Sequence, residues 1–141
     1  MTEVISTVSD TLNVPIERVW AVVSAFGIEK AYFPGVLKAS LKGWGIGSIR
    51  HLWFHEFEVD EQLEICDPET YKVTYRVLEP CPFPAKNCTG NIELESLEGG
   101  KTKITWTGRA DYIEPEQKVF LWDNLHGRYT GAILGVRKLV E

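Results

Sequence analysis

The sequence predicts an α+β fold: a curved antiparallel sheet of about seven strands wrapped around one long C-terminal helix, with two short helices after the first strand. Two observations carry that reading. From Val36 to Tyr112, segments rich in Val, Ile, Thr and aromatic residues succeed one another with only short turn sequences between them, the pattern of an antiparallel meander. The chain then ends in "EPEQKVFLWDNLHGRYTGAILGVRKLVE", whose apolar residues recur at helical spacing. The 141 residues are read as one domain, 1–141, and an apolar content of 44% argues for a folded chain with a real core.

The elements follow in order. "EVISTVSDTLNV" reads as a strand. In "NVPIERVWAVVSAFG", Asn13 is the N-cap candidate, Pro15 sits in the first turn, and Ile16, Val19, Trp20 and Val23 share one helical face, with Gly27 as the stop. "IEKAYFPG" allows one more helical turn before Pro34. Strands are expected at Val36–Lys42, Ser48–Phe54, Phe57–Cys66, Tyr71–Leu78, Asn87–Leu97 and Thr102–Tyr112. Turn chemistry separates them at "GWGIG", "DPET", "EPCPFPA" and "EGGK". In the terminal helix Pro115 suits the first position, Glu116 suits the positive end and Arg137 and Lys138 the negative end. About 26 residues at 1.5 Å each give a span of about 39 Å.

Composition excludes several classes. The formal net charge is −5 and no basic patch is visible, so neither nucleic acid nor an anionic membrane surface is expected as partner. No apolar run approaches the roughly 18 residues that span a bilayer, and the N-terminus lacks a basic, then apolar, leader pattern. A cytoplasmic, reduced protein without membrane insertion is expected. Cys66, Cys81 and Cys88 have neither disulfide-scaffold density nor zinc-ligand spacing. No phosphate loop, nucleotide fingerprint or nucleophile elbow occurs, so no cofactor and no metal are expected.

The stretch "SIRHLWFHEFEVDEQLEICDP" looks like a histidine- and acid-rich site until it is folded into a hairpin. With the turn at His55–Glu56, Phe54 faces Phe57, Leu52 faces Val59 and Arg50 faces Glu61 on one side. Trp53–Glu58, His51–Asp60 and Ile49–Gln62 pair on the other. The first set is apolar apart from one ion pair and is expected to face inward, extended by Leu63 and Ile65. A four-residue loop preserves this assignment; a bulge breaks it. His51 and His55 then lie outside and roughly 13 Å apart along the strand, too far to share a metal. The Arg50–Glu61 pair either closes one end of the sheet or serves a ligand. In the second case an apolar surround raises the Glu61 pKa and a close Arg50 lowers it, the latter favouring an ionised acceptor or base.

Alternation places further residues inward: Tyr71, Val73, Tyr75 and Val77; Cys88, Gly90, Ile92 and Leu94; Ile104, Trp106, Gly108, Ala110 and Tyr112. Cys88 reads as a small buried hydrophobe, since nothing supplies it with a base. Along the helix, Leu121, Leu125, Tyr129, Ala132, Ile133, Val136 and Leu139 form the apolar arc. Asp123, His126, Thr130 and Arg137 fall on an exposed side. Gly127, Gly131 and Gly135 recur every fourth residue beside Phe120 and Asn124. Each glycine in a helix interior costs about 1 kcal/mol relative to alanine, so the stripe needs a reason. Read from the residues alone, it permits close helix–strand contact or forms a homodimer seam.

The order and spacing of "NVPIERVWAVVSAFG", "GIGSIR", "EQLEICDPETYKVTY" and "KITWT" resemble the START/birch-allergen-like helix-grip superfamily (SRPBCC), and its polyketide cyclase/dehydrase branch in particular. The resemblance runs over nearly the whole chain. It implies a helix-grip fold with an internal cavity that commonly holds an apolar small molecule. By the same resemblance Glu61 and Tyr75 face that cavity and the glycine stripe enlarges it. The function expected is a cofactor-independent enzyme of the cyclase, dehydratase or isomerase type acting on a hydrophobic or aromatic intermediate. Arg50, Glu61 and Tyr75 would move protons or stabilise an enolate. Leu52, Phe54, Val59, Cys88, Gly90, Trp106, Tyr112, Asn124, Gly127 and Gly131 would contact the substrate. The alternative is a carrier that binds a hydrophobic ligand without turnover. A protein-partner module using the outer sheet face, where Trp53 lies, is a third class.

Overall fold

The computed structural model describes residues 2–141. Strand β1 (Glu3–Leu12) leads to helix α1 (Ile16–Val23) and a single 3₁₀ turn at Glu29–Ala31. Strands β2 (Lys38–Lys42), β3 (Ile49–Trp53), β4 (Glu58–Asp67), β5 (Lys72–Val77), β6 (Ala85–Lys86), β7 (Thr89–Leu97), β8 (Lys101–Ala110) and β9 (Tyr112–Ile113) follow. A second 3₁₀ turn at Pro115–Gln117 opens into helix α2 (Lys118–Val140). The 23 residues of α2 span about 35 Å at 1.5 Å each. This is the helix-grip arrangement.

Seven strands form one antiparallel sheet in the order β1-β8-β7-β5-β4-β3-β2. The chain's two ends therefore meet: β1 joins the last long strand, and α2 lies across the concave face. The sheet gives α2 its core contacts through Leu121, Leu125, Tyr129, Ala132, Ile133, Val136 and Val140, all buried. Leu139, expected in that arc, is 48% exposed, and Val140 takes the inward position instead. Asn13 does not cap α1; Pro15 occupies the N-cap position without a side-chain hydrogen bond, and the helix ends at Ser24 before Gly27 is reached.

The hairpin pairs as read from the sequence, with Arg50 opposite Glu61, Leu52 opposite Val59 and His51 opposite Asp60. The connection is the four-residue loop, closed by the Phe54 amide donating to the Phe57 carbonyl at 2.9 Å. One inward assignment fails. Between Leu63 and Ile65 the register against β5 shifts, because Glu64 is an extra residue in β4. Past this bulge the alternation inverts: Ile65 turns out to solvent, 42% exposed, and Cys66 packs toward the core.

A second irregularity lies after β8. Asp111 breaks the strand in a bend, and Tyr112 and Ile113 form β9, which pairs with β6 from the "EPCPFPA" segment. The expected strand to Tyr112 thus ends at Ala110, and Tyr112 is exposed.

The glycine stripe of α2 divides. Gly135 is pressed against the 28–35 segment: a Cβ there would lie 1.7 Å from the Tyr32 carbonyl oxygen. At Gly131 it would lie 3.1 Å from Pro34, and at Gly127 it would meet nothing within 4 Å. Two of the three glycines serve close packing of α2 on the loop before β2, and the third is on the open surface. None of the three lines the cavity described below, which corrects the expectation for Gly127 and Gly131.

Candidate functional site

A small cavity lies between the sheet and the middle of α2. Strand β3 contributes Arg50 and Leu52 and leads into Phe54; β4 contributes Val59 and Glu61; β5 contributes Tyr75 and Val77. Cys88 and Gly90 come from the start of β7, and Leu125, Arg128 and Tyr129 from α2. The partly exposed Phe57, Phe83, Thr89 and Arg128 mark its mouth. Its volume is about 50 Å³. A water molecule needs at least about 10–15 Å³ on this measure, and an engineered site that takes benzene measures about 150 Å³. The cavity as it stands has room for no more than a few waters, and a ring-sized ligand requires the wall to give.

Of the residues expected from the sequence, Arg50, Leu52, Phe54, Val59, Glu61, Tyr75, Cys88 and Gly90 line the cavity. Trp106, Tyr112, Asn124, Gly127 and Gly131 do not. Trp106 is wholly buried behind the wall, where its Nε1 donates to the Tyr75 hydroxyl at 3.0 Å. Asn124 is spent on Arg128, accepting from its Nε at 2.9 Å.

At the floor, Arg50 is 3% exposed and meets two carboxylates. Its Nε and Nη2 reach Glu61 Oε1 at 2.7 and 2.6 Å, and its Nη1 donates to Glu29 Oε2 at 2.7 Å. The guanidinium plane is covered on both sides, by the Phe26 ring at 4.2 Å and the Tyr75 ring at 4.4 Å. Glu29 also accepts from the Gly27 amide at 3.0 Å, while its Oε1 is buried with no partner. Each nitrogen of Arg50 therefore already meets a carboxylate, and both faces of the guanidinium are covered by aromatic rings. Arg50 holds Glu61 by one oxygen, Oε1; Oε2 has no hydrogen-bond partner among the described residues, and Glu61 lines the cavity.

Glu29 was missed in the sequence. It sits in a turn outside the strand alternation, so no periodicity marks it as buried. The only available signal was an acidic residue inside the otherwise apolar run around "AFGIEKAYF".

One guanidinium and two carboxylates leave the floor short of positive charge. Burial raises the Glu61 pKa, and Arg50 opposes this without cancelling it. For Arg50 itself burial works to weaken protonation, but Glu61 and Glu29 outweigh it, and the guanidinium stays charged. Burial, reinforced by Glu61, pushes the Tyr75 hydroxyl well above its usual value, and burial likewise raises Tyr129 beside it. Both phenols are neutral hydrogen-bonding groups at ordinary pH.

Outside the cavity, His51 bridges Asp60 and Glu58 at 2.7 Å each, which raises its pKa against the effect of burial. Among the described residues no group of three His, Cys, Asp or Glu side chains is placed to hold a metal ion, and no helix is long and apolar enough to cross a membrane.

A curved antiparallel sheet gripping a long C-terminal helix defines the helix-grip class. Residues 3–141 match the family described as "Polyketide cyclase / dehydrase and lipid transport", and the chain belongs to it. No curated protein sequence matches it significantly. Among solved structures it is similar to the protein XoxI from Bacillus cereus, with 22% identity over 96% of this chain and 94% of that one and a TM-score of 0.82. Norcoclaurine synthase from Thalictrum flavum is 21% identical over 99% and 87% of the two chains, with a TM-score of 0.80. Ara h 8.0201 is 15% identical over 99% and 98%, with a TM-score of 0.76. At these identities the likeness establishes the fold.

Proposed function

We propose that this protein is a cofactor-independent enzyme that moves a proton on a hydrophobic or aromatic small molecule held in the cavity, in a cyclisation, dehydration or isomerisation. The observation that carries this reading is Glu61. It is a buried carboxylate fixed through one oxygen by Arg50, raised in pKa, with its other oxygen unpaired among the described residues, and it lines a largely apolar cavity. A carboxylate with a raised pKa is a stronger general base than an exposed one, and proton abstraction next to a carbonyl needs such a base. Tyr75 and Tyr129 supply neutral phenol groups near it, suited to hydrogen-bond an enolate oxygen as charge develops there. Arg50 acts as a positioning residue, because its own donors are engaged. The Thalictrum flavum enzyme, solved with dopamine and hydroxybenzaldehyde, is a precedent for small arenes in this fold.

The test uses phenylacetone, whose protons next to the carbonyl are readily abstracted, in D₂O with NMR detection. Wild-type protein is expected to bind it and accelerate deuterium exchange at those positions. E61Q is expected to bind equally and lose the acceleration. Binding without acceleration by wild type would favour the second reading, a carrier. That reading is supported by the apolar lining and by the lipid-transport members of the family.

A further inference from the structure

We propose that Arg128 is an anion-binding subsite at the mouth of the cavity, which receives the carboxylate of an aromatic or short apolar carboxylic acid. The proposal rests on the reading of the cavity as a small-molecule site and names the class of molecule it takes.

Arg128 stands apart from the cavity's other guanidinium. Arg50 meets two carboxylates, Arg76 meets Glu64, and Arg137 meets Asp10 and Glu141. Arg128 lines the cavity, is half-buried, and forms no ion pair among the described residues. Its one side-chain hydrogen bond is to a neutral group, Asn124 Oδ1. That bond uses Nε, so Nη1 and Nη2 remain as two parallel donors, the fork that matches a carboxylate. The guanidinium lies 5.1 Å from the centres of both the Phe54 and the Phe57 rings, which hold it in place against the mouth. The carboxylate whose charge acts on it is Glu56, in the exposed turn of the hairpin. Burial lowers the Arg128 pKa and Glu56 partly offsets this. A half-desolvated cation without a counter-charge is the arrangement that an incoming anion completes.

The charge layout also sets how such a ligand lies. The floor carries Glu29 and Glu61 against Arg50 alone, so it repels a carboxylate, while the mouth carries a free cation. The Phe54 end of the hairpin is four residues from Arg50, roughly 13 Å along the strand. An arene with a short acid side chain fits that distance. Its carboxylate rests on Arg128, its ring lies among Phe54, Phe57 and Phe83, and its inner end approaches Glu61. The ring has to displace that aromatic cluster, because the resting volume is only about 50 Å³.

The probes are cinnamate and cinnamamide, which share a skeleton and differ in charge. Binding is followed by amide chemical shifts of cavity residues and by calorimetry at low salt. Wild type is expected to bind cinnamate about tenfold tighter than cinnamamide, with the preference shrinking as salt is added. R128Q is expected to abolish the preference by weakening cinnamate alone, and R128K to retain part of it. E56Q, which removes the competing carboxylate, is expected to strengthen cinnamate binding two- to threefold. Equal binding of both probes to wild type, or a preference that survives R128Q, overturns the subsite and leaves the cavity reading standing. If neither probe shifts the cavity residues, both readings fall. Retention of the cinnamamide shifts in R128Q shows that the variant is folded, so a loss confined to cinnamate belongs to the missing charge.

Discussion

Removing Arg50 should damage this protein far more than removing Glu61, although the two are partners. In Arg50→Met, Glu29 and Glu61 remain buried with no counter-charge; in Glu61→Gln, Arg50 keeps Glu29 and the floor becomes neutral. Breaking a buried ion pair from one side costs about 3–5 kcal/mol, and the rings of Phe26 and Tyr75 lose the cation between them. Unfolding entropy of about 2.1 cal/mol/K per residue over 141 residues gives about 0.3 kcal/mol/K. The expected loss is therefore about 10–17 °C in Tm for R50M, measured by calorimetry at pH 7 and checked by urea unfolding. E61Q should stay within about 1 kcal/mol of wild type, since one guanidinium against one carboxylate is the better balanced set. The pH dependence separates the two further. Glu61 has a folded pKa above its ordinary value of 4.5, so the folded chain binds that proton more tightly than the unfolded one. Its contribution to stability is complete below pH 4.5 or so and declines as pH rises through the folded value. E61Q should lack that decline, and the penalty in R50M should shrink on acidification as Glu61 takes up a proton. An R50M protein within 1 kcal/mol of wild type at pH 7 would refute the charge argument.

Other outcomes follow from single contacts. Gly127→Ala, in open space on a helix surface, should stabilise by about 1 kcal/mol, whereas Gly135→Ala should destabilise by at least that much, because its Cβ would strike the Tyr32 carbonyl; equal Tm values would sink this account of the stripe. Gly90→Ala would put a Cβ 2.1 Å from Tyr75 Cζ, so it should displace that ring, break the Trp106 hydrogen bond and shift tryptophan fluorescence, at a cost of about 1–3 kcal/mol. Phe83→Ala should enlarge the cavity and tighten cinnamamide binding, read by calorimetry. Cys81 lies 3.9 Å from Cys88, and their hydrogen bond brings its pKa down to about 7 while raising that of Cys88. Iodoacetamide at pH 7.5 should therefore modify Cys81 before Cys66 or Cys88, as peptide mass mapping would show.

The sequence carried the sheet because alternation is a local property. The pairing of Arg50 with Glu61 needed only the turn at His55–Glu56 and the parity of two strands. Wherever a local irregularity resets the parity, the reading failed. The extra residue at Glu64 sent Ile65 outward, and the bend at Asp111 took Tyr112 out of β8. The helix failed for a different reason. Its glycines are spaced as one stripe, but what each meets depends on where the 28–35 loop crosses α2, and sequence spacing does not encode that crossing. Glu29 lies on the same loop and was missed for the same reason.

That loop ties the packing to the chemistry. Gly131 and Gly135 allow the segment carrying Tyr32 and Pro34 to press against α2, and the same segment delivers Glu29 to Arg50. A bulkier residue at 135 would push the loop away and withdraw a carboxylate from the floor. The Glu61 pKa is raised in part by Glu29, so such a displacement should lower it. G135A should accordingly show a weaker acid-to-neutral stability decline than wild type, in addition to its lower Tm. A G135A protein that unfolds earlier but keeps the full pH slope would separate the loop from the site and show that the glycines serve packing alone.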